Sequence, residues 1–208
     1  MKRYFLNIND SFLKILGIIL ITLLLHNICY SQDIKEYQAK GKKGVLKCIE
    51  SKSKNRIIYS NANNKKNLSE DYKSDDPTLE LAFLGFYINT YDTFLEAFHK
   101  TFSDDRIEQL VKLKEKINIR FRLNQDGDHL AMSFTLNYGT SLTPDEILSL
   151  EENLLKLVSF IPLQKFEYKL LTSYSISTDF DEIRRGDITR LKKKEADQRE
   201  RAKLFVKE

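Results

Sequence analysis

Two alternating segments, a capped amphipathic segment and a third alternating segment follow one another between Ile117 and Tyr174 with little sequence between them. Ile117, Ile119, Phe121 and Leu123 alternate with Asn118, Arg120, Arg122 and Asn124, the period-two pattern of a strand buried on one face. Leu130, Met132, Phe134, Leu136 and Tyr138 alternate in the same way with Ala131, Ser133, Thr135 and Asn137. The connection between them, Gln125 to His129, contains Asp126-Gly127, a pair that reaches positive backbone φ at low steric cost. The two runs are therefore predicted to pair as an antiparallel hairpin.

Thr143-Pro144-Asp145-Glu146 has the form of a capping box, with a hydroxyl at N-cap, proline where no amide is needed and glutamate at N3. Ile147, Leu150, Leu154, Leu157, Val158 and Ile161 share one helical face, and Pro162 stops the run. Phe166, Tyr168, Leu170, Tyr174 and Ile176 share one parity and predict a third strand. The predicted class is α+β: an antiparallel sheet with a strand-strand-helix-strand core, helices packed on one face and an exposed C-terminal helix.

This order resembles the C-terminal domain of TonB-type energy transducers and related small periplasmic domains. The resemblance spans residues 117–176 and is carried by Ile119 to Leu123, Asp126-Gly127, Met132 to Phe134 and the run Val158 to Pro162. It implies a small envelope-associated domain. The transducers' long proline-rich linker has no counterpart, because the only prolines are Pro77, Pro144 and Pro162.

At the start of the chain, Lys2, Arg3 and Lys14 precede an apolar run from Ile15 to Leu25. Cys29 and Ser31 then supply small residues before Gln32, the arrangement of a secretory signal peptide over residues 1–31. The run is short for a retained span, and lipid attachment at Cys29 is a second, minor reading. Cleavage before Gln32 leaves 177 of the 208 residues and removes Lys2, Arg3, Lys14 and Asp10, which lowers the net charge from +4 to +2. Neither that charge nor export favours a nucleic-acid partner. The remaining organisation reads as an N-terminal hairpin and polar connection (32–76), a core domain (77–180) and a charged helical tail (181–208).

Cys48 stands alone after cleavage, within the apolar run Val45 to Glu50, and reads as a buried small side chain. Arg56 to Ser60 can pair with that run as a hairpin, and Ser60 to Asp76 reads as a polar connection. Leu81 to Ile88 fits a helix or a strand. Tyr87, Tyr91, Phe94, Phe98 and Phe102 stand at helical spacing as a stripe read as core packing, and Thr90 is placed to cap the helix if Leu81 to Ile88 is a strand. A second helix begins at Ser103, with Asp104 and Asp105 in its first turn.

No zinc spacing, P-loop, dinucleotide fingerprint or G-x-S-x-G is present. Around Gly127 a calcium loop would need acids where Arg122 and Ser133 stand, so the segment reads as a turn. His129 has no assigned duty, and Glu151 and Glu152 read as solvated helix residues. No metal or cofactor is expected. In the tail, Glu195 and Arg199 have the spacing of a surface ion pair, and Ala196 and Ala202 are the sole apolar residues between Leu191 and Leu204. The tail is therefore expected to be dispensable for folding.

Two functional expectations follow. One is an exported, non-catalytic binding or adaptor protein that meets an envelope protein or other envelope component through the polar sheet face bearing Arg120, Arg122, Ser133, Thr135 and Lys169. The other is a secreted hydrolase with a site near His99. A deep pocket around His99 would favour the hydrolase, and a shallow surface the adaptor.

Overall fold

A computed structural model describes residues 34–64, 86–163 and 172–205. Residues 1–31, read above as a signal peptide, and Leu81 to Gly85, Phe166, Tyr168, Lys169 and Leu170 lie outside the described residues. The fold is α+β. In chain order it comprises β1 (Ile34–Lys40), β2 (Val45–Ser51), β3 (Arg56–Asn61), β4 (Phe86–Ile88), α1 (Tyr91–Thr101), α2 (Asp104–Lys112), β5 (Lys116–Leu123) and β6 (His129–Asn137). It continues with α3 (Pro144–Leu157), β7 (Phe160–Pro162), β8 (Thr172–Asp179), α4 (Phe180–Arg185) and α5 (Thr189–Phe205).

Six strands form one antiparallel sheet in the order β1-β2-β3-β6-β5-β8. The predicted β5–β6 hairpin is present, and the β2–β3 hairpin continues the same sheet because β3 pairs with β6. Alternation fixes which face is dry. Ile117, Ile119, Phe121 and Leu123 are buried with Met132, Phe134 and Leu136, and all meet the helical layer. That layer contributes Phe94, Phe98, Ile107, Leu110, Leu150 and Leu154. Each such side chain contributes roughly 1.5–3 kcal/mol by leaving water. The aromatic stripe of α1 is core: Phe98 meets Phe94 at 5.2 Å and Phe180 at 5.9 Å, and Phe102 meets Phe180 edge-on at 5.4 Å.

The capping box at α3 forms as predicted, with Thr143 and Glu146 bonded reciprocally. Glu146 also receives Arg106 through two bonds of 2.7 and 3.1 Å, which fastens α2 to α3. Ser103 caps α2 by accepting from the Arg106 amide. The predicted helical run over Val158 to Ile161 is corrected: α3 ends at Leu157, and Phe160–Pro162 form a strand paired with β4. Pro162 exerts its effect upstream, because the residue before a proline is driven to extended geometry.

At the β5–β6 turn, Asn124 accepts the amides of Asp126 (3.0 Å) and Asp128 (2.8 Å) on its side-chain oxygen, and Gly127 adopts φ +90°. A Cβ on Gly127 would lie 2.4 Å from the Phe160 carbonyl oxygen, so both backbone angle and space require glycine.

Helix α5 keeps Lys192, Lys193, Ala196, Asp197, Arg199 and Glu200 exposed, in line with the tail's composition. Its attachment is polar. Glu195 is buried (1% exposed) and accepts hydrogen bonds from the Ile88 amide at 2.8 Å, from the Tyr174 hydroxyl at 3.1 Å and from the Tyr91 hydroxyl. The expected Glu195–Arg199 surface pair is therefore corrected: Arg199 lies over the Tyr87 ring at 4.5 Å, and Lys194 over Tyr174 at 4.3 Å.

Candidate functional site

The sheet is covered by α1–α4 on its apolar side, and its opposite face carries the polar half of every alternating strand. Strand register orders that face into rows. One row crosses five strands as Lys47, Ser60, Ser133, Arg120 and Ser175. The next is Ile49, Ile58, Thr135, Asn118 and Ser177. Arg122 lies beyond the first row, opposite Ala131 and Ser173.

The structure thus brings four of the five residues proposed from sequence onto one surface: Arg120 directly opposite Ser133, Thr135 one row away and Arg122 on the other side. Lys169 lies outside the described residues. Arg120 is exposed and Arg122 half-buried, and neither forms an ion pair with a carboxylate among the described residues. Two like charges two residues apart on one strand face repel each other weakly in water, and a negatively charged partner relieves that repulsion. Asn118 and Ser177 are bonded side chain to side chain at 2.5 Å, which holds both hydrogen-bonding groups in place on the rim.

At one end of this face a groove of about 290 Å³ runs between Lys54, Arg56, Lys116, Asn137, Ser177 and Arg190. It follows the start of β3, the end of β6, the start of β5, the end of β8 and the first turn of α5. Arg190 is already engaged by Glu182 and by Asp179 at 3.6 Å.

A family comparison adds only the fold. No protein-family model matches the chain, and no curated protein matches it. A solved structure is similar: a DUF5043 family protein from Bacteroides uniformis, with a TM-score of 0.53 and 12% identity, over 70% of this chain and 91% of that one.

The other titratable candidates have structural surroundings. His99 sits at the surface, with Nδ1 3.9 Å from Asp104 Oδ1 and a side chain 45% exposed. It lines neither the groove above nor a smaller one beside Val111 and Lys114. His129, expected to be idle, is corrected. Its Nε2 donates to the Val158 carbonyl at 2.7 Å, and its ring packs 5.6 Å from Phe121 and 5.4 Å from Phe160. Nδ1 is buried without a partner, and burial pushes the imidazole pKa down against the pull of the Val158 carbonyl.

Glu151 is corrected in the same sense. It is 4% exposed rather than solvated, accepts one bond from Asn61 Nδ2 at 2.9 Å, and burial raises its pKa against that bond. Glu115, also buried, accepts from Thr140 Oγ1 at 3.0 Å and the Ser141 amide at 2.7 Å and so shapes the approach to α3. Burial, with Glu195 second, raises the Tyr91 hydroxyl to about 12, so it serves as a hydrogen-bond donor.

Cys48 is buried, and burial raises its thiol pKa, the setting of a packed side chain rather than a nucleophile. Among the described residues no group of three His, Cys, Asp or Glu side chains is placed to hold a metal ion. Among them, too, no helix is long and apolar enough to cross a membrane. Sequence reasoning missed Lys47, Asn118 and the serines of β8 as members of the face. Their parity was readable, but their alignment with β5 depends on which strands pair.

Proposed function

We propose that this chain is an exported, non-catalytic binding module of the bacterial cell envelope that engages an acidic protein surface through its open sheet face. The observation that carries the reading is the row Lys47, Ser60, Ser133, Arg120 and Ser175, extended by Arg122: cations and short hydroxyls aligned across five strands, without carboxylate partners among the described residues. Such a surface offers charge attraction and direct hydrogen bonds on a rigid scaffold, the requirements of a specific and moderately polar interface. Envelope placement draws on the signal-like residues 1–31 and on the resemblance of residues 117–176 to small periplasmic domains. The surface position of His99 gives the hydrolase reading no enclosed site to use.

Site-specific photocrosslinking in the native host tests the reading. A crosslinker at Thr135 is expected to trap a discrete envelope protein, whereas one at Lys112, on the helical side, traps none. Equal trapping at the two positions, or none at Thr135, would contradict it.

A further inference from the structure

We propose that the groove at the end of the open face is a separate binding site for an acidic oligosaccharide, a sugar chain carrying carboxylate or sulfate groups. The proposal shares the binding-module reading's sheet face but uses neither Arg120 nor Arg122. Three cations supply its charge: Lys54 in the β2–β3 turn, Arg56 at the start of β3 and Lys116 at the start of β5. None of the three forms an ion pair with a described carboxylate, whereas Arg190 at the far rim is neutralised by Glu182 and Asp179. Lys116 lies opposite Asp179 in register, so the charge excess is concentrated on the β3 side.

Spacing selects the ligand class. β6 separates β3 from β5, so Arg56 and Lys116 stand on strands about 10 Å apart. A chain with anionic groups on successive units can engage both at once. Beside the cations stand neutral groups, Asn137 on β6 opposite Arg56, and Thr135, Asn118 and Ser177 along the adjoining row, which donate to and accept from hydroxyls. A polyphosphate has no hydroxyls to use them, and a sugar does.

Titration calorimetry on the mature chain, with a heparin-derived octasaccharide, an oligogalacturonate, a neutral cello-oligosaccharide and polyphosphate of matched charge as probes, tests the site. At least one acidic sugar is expected to bind more tightly than polyphosphate and the neutral sugar. Arg56→Ala and Lys116→Gln, both at exposed positions, are each expected to weaken that binding about tenfold, the scale of one charge-assisted hydrogen bond. Lys112→Ala, which removes the same charge from α2, is expected to leave it unchanged. Circular dichroism confirms that each variant is folded. Polyphosphate binding at least as tightly as both acidic sugars, equal losses in Lys112→Ala, or no binding by either acidic sugar would overturn the proposal. Arg120→Glu separates the two sites, because it is expected to abolish trapping of the envelope protein while an acidic sugar still binds.

Discussion

Tyr174 donates a hydrogen bond of 3.1 Å to Glu195, joining the sheet's edge strand to a helix that offers it almost no apolar surface. The same carboxylate takes the Ile88 amide and the Tyr91 hydroxyl, so one buried acid satisfies donors from β4, β8 and α1. Burial, reinforced by the nearby Glu195 charge, raises the Tyr174 pKa and keeps its hydroxyl a donor. The last helix is thus held by specific polar contacts in place of an apolar stripe.

Replacing Glu195 with alanine leaves two buried donors and the partly buried Tyr91 hydroxyl without this acceptor. A loss of about 2–4 kcal/mol is expected, the range for breaking a buried hydrogen-bonded charge, and Glu195→Gln is expected to lose less. Urea denaturation measures both. A loss below about 1 kcal/mol for Glu195→Ala would mean that α5 is not fastened in this way.

Much of this fold is legible in sequence, and the reason lies in period and caps. Ile117 to Leu123 and Leu130 to Leu136 declare their buried faces by alternation, and Thr143 to Glu146 declares a helix start through residues four apart at most. β1 is not legible: Ile34–Lys40 is an edge strand whose residues are mostly exposed, so burial leaves no alternation to read. Glu195, Glu151 and His129 escape for another reason. Each is a polar side chain whose partners are at least 21 residues away, and nothing local distinguishes it from a solvated neighbour. The candidate face was visible as parity on β5 and β6, but its full width waited on the pairings of β3 with β6 and β5 with β8.

Glu151→Gln is expected to stabilise the protein at pH 7. The folded-state pKa of Glu151 is raised above the ordinary 4.5, so the fold favours the protonated acid and loses stability as pH rises through that raised value. Glutamine keeps an acceptor for Asn61 and carries no charge. A gain on the order of 1 kcal/mol at neutral pH, closing below about pH 4.5, is the expected result of paired thermal melts across pH.

Gly127→Val is expected to cost more than His129→Ala, because a β-branched side chain must adopt φ near +90° and its Cβ would meet the Phe160 carbonyl at 2.4 Å. Both should be destabilising now that His129 is seen to bridge to Val158. Losses above about 2 kcal/mol for the valine variant and about 1 kcal/mol for the alanine variant are expected in chemical denaturation. A larger loss for His129→Ala would contradict this account of the turn.

His129 also sets an acid limit. Its folded pKa lies below the ordinary 6.5, so the unfolded chain binds the proton more readily, and stability is fully present above about pH 6.5 and declines as pH falls below it. His129→Gln, which retains a donor for Val158, is expected to flatten that part of the profile. A slope between pH 6.5 and 5 that is identical in both proteins would show that another group is responsible.

The most direct test of the open face as a binding surface is the affinity of the chain for the protein trapped by the Thr135 crosslinker, measured against the double variant Arg120→Glu/Arg122→Glu at two salt concentrations. The account predicts binding by the native chain that weakens as salt rises, and a loss of at least about a hundredfold in the double variant with its melting temperature unchanged. Undiminished binding by a folded double variant would contradict it.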